Sequence, residues 1–246
     1  MATYDIALFK GHGKGYDGSF DCGAVNGNDT EYNIVSQIVD VALGHLKSAG
    51  VNVLTGEQNY KNDLLAGHSV VSKCAYSVHI NAGGGSRSEA YVPLKEKFFD
   101  TEIAIQKELA KLGIPDGGVR SRDYDTERIV KRTAGTPLSG TDYYKEIRQA
   151  WSKGISLTIL EVGFIDSGDK AIIKANIAKI GLIIAQQLAK LCGKTISTPA
   201  PAPAPTTPSS GVKYRVVCGT FADKANAVAQ QEKLKKAGFD SFLITV

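Results

Sequence analysis

Cysteine is scarce in this chain: four in 246 residues, Cys22, Cys74, Cys192 and Cys218, none in a Cys-x-x-Cys pair. That count excludes a disulfide scaffold and predicts free thiols in a protein made in a reducing compartment. Long apolar runs are missing as well. The longest apolar segment, Ile172 to Leu191, is interrupted by Lys174, Asn176, Lys179, Gln186, Gln187 and Lys190. A membrane span needs about 20 apolar residues, so no membrane insertion is expected. Excess charge is small: 29 Lys and Arg face 25 Asp and Glu, a net +4, too mild for a dedicated nucleic-acid binder. Met1 to Lys10 has neither the basic start nor the apolar stretch of a signal peptide, which predicts synthesis in the cytoplasm. What is present suffices for a core: 43% of residues are apolar and 22% charged, which excludes global disorder.

Five of the eight prolines fall between Pro199 and Pro208, in an alternating Ala-Pro run. Such a run favours extended polyproline II and has no apolar face to bury. It marks residues 193–211 as a linker between a body, 1–192, and a tail, 212–246. The body carries 22 basic and 22 acidic residues, whereas the tail has six basic and three acidic ones. The positive excess in the tail suits contact with an anionic surface.

Within the body, strand-like and helix-like runs alternate. Strands are expected at Tyr4 to Phe9, Val51 to Leu54, Ala75 to Ile80, Glu89 to Leu94, Arg128 to Arg132 and Leu157 to Val162. Helices are expected at Glu31 to Ala49, Asp63 to Ser72, Lys97 to Leu112, Thr141 to Trp151 and Asp169 to Leu191. This alternation predicts an α/β three-layer sandwich with a mostly parallel central sheet flanked by helices. In such sheets chemistry sits beyond the carboxyl ends of the strands.

Four histidines exist, and two follow apolar strands: His12 in Gly-His-Gly and His79 in Ser-Val-His-Ile-Asn. Glu31 opens the first long helix, and Glu161 closes the strand Leu157-Thr-Ile-Leu-Glu. All four are expected at one rim of the sheet. Two imidazoles and a carboxylate make a catalytic zinc shell with one position open, and a second carboxylate serves as base and acid. His45 and His68 lie in expected helices without acidic strand-end neighbours and are read as structural. Glycines 11, 13, 15 and 18 suggest a phosphate loop, but no Gly-Lys-Ser/Thr sequence follows them.

Gly11-His12-Gly13, Asp21-Cys22-Gly23-Ala24, Thr30-Glu31, Ser77-Val78-His79-Ile80-Asn81 and Leu160-Glu161-Val162-Gly163-Phe164 occur in this order. Together they resemble the zinc-dependent N-acetylmuramoyl-L-alanine amidases of autolysins and phage endolysins, across essentially the whole body. The resemblance implies one Zn²⁺ held by His12, Glu31 and His79, with Glu161 as the catalytic carboxylate. It implies peptidoglycan as substrate and cleavage between N-acetylmuramic acid and the L-alanine of the stem peptide. Reaching the wall from the cytoplasm then requires a holin or lysis of a mother cell. Lys14, Cys22 and Ser167 depart from the family pattern, and the stretch between Arg132 and Leu157 is longer than is common. A zinc peptidase acting within the stem, or a non-catalytic peptidoglycan-binding protein, are the alternatives.

The tail reads as a strand at Tyr214 to Cys218, a helix at Lys224 to Gly238 and a strand at Phe239 to Thr245. This resembles one half of a sporulation-related (SPOR) repeat, a small βαβ wall-binding unit. A lone 35-residue half is too small to be stable by itself, which predicts a homodimer through paired tails.

Overall fold

Alternate residues of the first long strand serve two different cores. In β1 (Ile6–Lys10), Ile6 and Leu8 join one apolar cluster while Ala7 and Phe9 join another. A strand apolar on both faces belongs inside a sheet with both faces covered. The computed structural model describes residues 2–15, 17–197, 219–236 and 241–244. The chain divides into two units, 1–198 and 199–246.

Six further strands complete the central sheet of the first unit: β2 (Val53–Glu57), β3 (Cys74–Asn81), β4 (Ser88–Tyr91), β5 (Asp116–Arg122), β6 (Ile129–Lys131) and β7 (Ser156–Phe164). Their order is β6-β5-β4-β7-β3-β1-β2. The pairs β1–β2, β1–β3, β3–β7 and β4–β5 are parallel, and only β4–β7 and β5–β6 run antiparallel. The expected mixed α/β architecture with a mostly parallel sheet is what the chain forms.

One face is covered by α1 (Glu31–Ser48), α3 (Asp100–Lys111) and α6 (Ile177–Leu191). Ile34, Val35, Ile38, Val39, Ala42 and Leu46 recur at helical spacing along α1 and are all buried. The Thr30 side chain caps its start by accepting from Asn33 N. The other face is covered by two shorter helices, α2 (Lys61–Gly67) and α4 (Lys145–Ser152), whose Leu65, Ile147 and Ala150 pack on Phe9, Leu157 and Ile159.

Several boundaries differ from the sequence expectation. The run Asp169 to Leu191 is two helices, α5 (Asp169–Ala175) and α6, bent by 81°. Asn176 leaves the helical conformation at φ −127°, and its amide donates to Ile172 O at 2.8 Å, a local bond that competes with the helix ladder. No single helix among the described residues is long and apolar enough to cross a membrane. The Asp63 to Ser72 helix ends at Gly67, because Ser69–Val70 pair with Thr3–Tyr4 as a short parallel ladder. His68 therefore caps α2 instead of lying within it, its ring edge-on to Tyr4. The second strand starts at Val53, with Val51 buried before it. The helix expected from Thr141 begins only at Lys145, since Asp142 is held by Leu94 N and Tyr144 is extended.

Strand β5 escaped the apolar pattern altogether. Its inward positions are the small Gly117, Val119 and Ser121, while Arg120 and Arg122 alternate with them. Period-2 alternation is present there, but with too little apolar volume to stand out.

In the second unit, α7 (Lys224–Lys236) forms where a helix is expected. Of its apolar residues, Ala227 and Leu234 are half-buried, while Ala225, Val228 and Ala229 are exposed. Residues 241–244 form no strand. Tyr214 to Cys218 and most of the expected linker lie outside the described residues. The thiols of Cys22, Cys74 and Cys192 are free.

Candidate metal centre

The pleat decides which side chains can meet. On β3, Tyr76, Val78 and Ile80 enter the larger core, so Ser77 and His79 face the side of α2 and α4. On β7, Leu157 and Ile159 face that same side, and Glu161 follows two residues on. His79 and Glu161 are direct register partners, and Glu161 is in turn the partner of Glu89 on β4. A polar row, Glu89–Glu161–His79, thus crosses the sheet near the carboxyl end of β3 and β7.

His12 reaches this row from the turn after β1. Its backbone lies in the left-handed region at φ 64°, a costly conformation for a residue other than glycine. Gln58 holds that turn from both sides: His12 N donates to Gln58 Oε1 at 3.0 Å, and Gln58 N donates to His12 O at 3.1 Å. The packing around it admits no side chain at two neighbours. A Cβ on Gly23 would lie 2.5 Å from His12 Cδ2 and 2.6 Å from Glu31 Oε2. A Cβ on Gly11 would lie 2.5 Å from Val78 O.

Glu31, the first residue of α1, is the hub. Its Oε1 accepts from Ile80 N at 3.0 Å and lies 2.9 Å from His79 Nδ1. Its Oε2 accepts from Ala24 N at 3.0 Å and lies 3.0 Å from His12 Nε2. The two imidazoles stand edge to face, 5.0 Å apart. One ligand atom each from His12, Glu31 and His79 fall within 4.8 Å of one another, a group that could hold a metal ion. For scale, donors bound tetrahedrally at about 2.1 Å lie roughly 3.4 Å apart. Partners behind the ligands fix both rings: Asp21 Oδ2 is 2.8 Å from His12 Nδ1, and Ser77 Oγ is 3.1 Å from His79 Nε2.

The electrostatics match a cation site. Burial opposes ionisation of Glu31, but hydrogen bonds with His12 and His79 outweigh it and hold the carboxyl far below its usual range. Burial lowers the His79 pKa and so favours the neutral imidazole, the form that ligates a metal. His12 is shifted the other way: burial works against its charge, and the carboxylates of Glu31 and Asp21 prevail. Glu161 differs from all of them. Its Oε2 is buried without a hydrogen-bond partner, and burial followed by repulsion from Glu31 and Glu89 raises its pKa well above normal.

A cleft of about 290 Å³ opens over this group, lined by His12, Glu31, His79, Glu161 and also by Gln58 and Asn81. Tyr144 and Glu146 line it from the α4 side. The four residues singled out in the sequence therefore share one cleft. Gln58, Glu89, Tyr144 and Glu146 did not stand out in the sequence, and Asn81 did so only as the last residue of the Ser77-x-His79-x-Asn81 motif. The glycines at 13, 15 and 18 feed a hairpin, Gly13–Lys14 against Phe20–Asp21, with no helix start behind them, so they make no phosphate cradle.

Comparison with known proteins gives two kinds of match. The SPOR domain model matches residues 184–245. The first part of that stretch, 184–191, belongs to α6, whose Ile184, Ala185 and Leu188 are buried in the core of the first unit. Among solved structures, Cwp6 from Clostridium difficile aligns over 75% of this chain with a TM-score of 0.55 and 18% identity. The chain spans 29% of the length of Cwp6. A candidate N-acetylmuramoyl-L-alanine amidase from Neisseria meningitidis aligns over 78% of this chain and 97% of its own, with a TM-score of 0.54 and 21% identity. At such identities the likeness is one of fold. No curated protein sequence matches the chain.

Proposed function

We propose that this chain is a zinc-dependent peptidoglycan amidase that hydrolyses the bond between N-acetylmuramic acid and the L-alanine of the stem peptide. The observation that carries the reading is the convergence of His12, Glu31 and His79 beside a buried carboxylate, Glu161, with an unpartnered oxygen. Two imidazole nitrogens and one carboxylate oxygen are the donor set of a catalytic zinc site, and the resident SPOR match and amidase-like fold agree with a wall substrate.

Bound zinc would supply Lewis acidity to the scissile carbonyl and to an attacking water. The rest of the chemistry belongs to the chain. Asp21 and Ser77 orient the two imidazoles, and Ile80 N and Ala24 N fix the Glu31 carboxylate. Glu161 Oε2 takes the proton of the attacking water and returns it to the leaving amine of L-alanine. Its raised pKa suits a group that must hold that proton between the two steps. The C-terminal residues would retain the enzyme on the wall, and their pairing with a second copy is expected from the exposed apolar positions of α7.

Mass spectrometry of digested walls tests the reading. Intact stem peptides with a new L-alanine amine are the expected product, whereas fragments cut within the stem identify a peptidase. Stoichiometric zinc and full activity in His79→Ala would remove the ligand assignment. Light scattering at micromolar concentration tests the pairing: a monomer ends it.

A further inference from the structure

Beside Glu161 lies a second buried carboxylate that the reaction does not use. Glu89 is 1% exposed and is gripped from several sides. Arg87 Nε donates to its Oε1 at 2.6 Å, and Arg120 Nε lies 2.9 Å from the same oxygen, off hydrogen-bond alignment. Its Oε2 accepts from Tyr91 Oη at 3.2 Å and Asn81 Nδ2 at 3.3 Å. Arg87 is further braced over the ring of Phe164, 5.1 Å from its centroid, and Arg120 Nη2 donates to Gly117 O at 3.1 Å.

One carboxylate thus organises two guanidinium groups, leaving the cluster with a positive charge. Both side chains reach solvent, at 38% and 23% exposure. The pleat puts Glu89 and Arg120 on the face that carries Glu161 and His79, and Asn81 lines the cleft itself. Glu89 is one strand from Glu161, about 5 Å away across the ladder, and Arg120 one strand farther. Two guanidiniums pre-set by a buried acid are suited to a planar anion such as a carboxylate.

We propose that Arg87 and Arg120 form an anion subsite for the free α-carboxylate of the second stem residue, a glutamate linked onward through its side chain. This rests on the amidase reading above and specifies its substrate. In an extended stem that carboxylate lies about 6 Å from the scissile nitrogen, within reach of a group one to two strands from Glu161. The cluster then selects walls whose second residue is the acid over walls in which it is the α-amide. Arg87 and Arg120 are specificity residues and Glu89 positions them.

The test uses two purified peptidoglycans, one with glutamate and one with its α-amide at the second stem position, scored by new L-alanine amines. The wild-type chain should favour the acid form by about 10–100-fold in kcat/KM, the worth of one charge-assisted contact. Arg87→Gln, at the exposed end of the cluster, should bring that ratio within about threefold of unity, acting through KM. Arg120→Gln should do the same, and Arg87→Gln decides the matter if that packed variant fails to fold. Equal rates for the wild type on both walls, or a full ratio in Arg87→Gln, overturn the subsite alone. A preference that tracks the acid or amide form of the third residue instead also overturns it. No new L-alanine amine from either wall overturns the amidase reading itself, and the subsite with it.

Discussion

The two faces of the central sheet are built from alternate residues of the same strands, yet they do different work. On the face under α1, α3 and α6, Leu8, Val78, Leu160 and Val162 meet helices carrying Ile38, Leu109, Ile184 and Leu188, all fully buried. On the opposite face, α2 and α4 cover Ala7, Phe9, Leu157 and Ile159 but leave Glu161 and His79 beneath a cleft, with Glu89 one strand beyond Glu161. A fully covered face supplies stability through apolar area. A partly covered one can keep charged groups in a low dielectric, where their pKa values move and their chemistry is strong. The difference comes from helix length: α1 has 18 residues and α6 has 15, against seven in α2 and eight in α4.

The sharpest way to test that division is to remove Glu161 from the open face. Glu161→Ala should lower turnover by about 10²–10⁴-fold while metal content holds. Because its Oε2 has no partner in the fold, the variant should be no less stable than the parent, which thermal melting checks. A fall in zinc affinity in an isothermal titration would show that Glu161 orients a ligand instead.

Next in size is the ion pair that pins α4 over the open face. Lys61, 2% exposed on α2, pairs with Glu146 of α4. Burial pulls the Lys61 pKa down to about 7, so Glu146→Ala should cost up to about 5 kcal/mol below that pH, where the amine is charged, and less above it, read by denaturant unfolding. A change below 1 kcal/mol would mean that α4 is held by its apolar contacts alone.

The covered face should respond in the reverse sense to the first variant. Ile184→Ala should cost about 2–5 kcal/mol of stability, with kcat per folded molecule unchanged. Loss of kcat in the folded fraction would show that the two faces are not independent.

The smallest effect concerns a buried acid inside the covered face. Glu102 of α3 is 6% exposed, and burial raises its pKa although Thr158 Oγ1 donates to it at 2.6 Å. The folded state therefore holds this proton more tightly than the unfolded chain. Stability contributed by the protonated acid is present at low pH and is lost as pH rises from the ordinary glutamate range through the raised value. Glu102→Gln keeps the acceptor and removes the titration. It should gain about 1 kcal/mol at neutral pH, or ~2–4 °C in Tm, with no gain near pH 4.

Much of this organisation was legible in the residues. His12 stands after an apolar strand, His79 lies near the end of another, and Glu31 follows a capping threonine, so strand ends and helix starts pointed to one rim. Strand β5 was not legible, since Gly117 and Ser121 at inward positions carry little apolar signal. Nor was the break at Asn176, because Ile173 and Ile180 keep a helical spacing across it.

By itself the sequence determined the α/β alternation, the proline-marked boundary and four of the residues that line the cleft. Those follow from local rules: period, capping, and the turn that glycine permits. Tertiary structure decided the pairing order that makes Glu89, Glu161 and His79 neighbours across three strands, and the distances that put Arg87 and Arg120 on Glu89. Neither can be read along the chain, because pairing order is set by which distant strands bury one another's apolar faces. The raised pKa of Glu161 has the same origin: it comes first from burial and then from repulsion by carboxylates 72 and 130 positions away in sequence, and only the folded sheet supplies either.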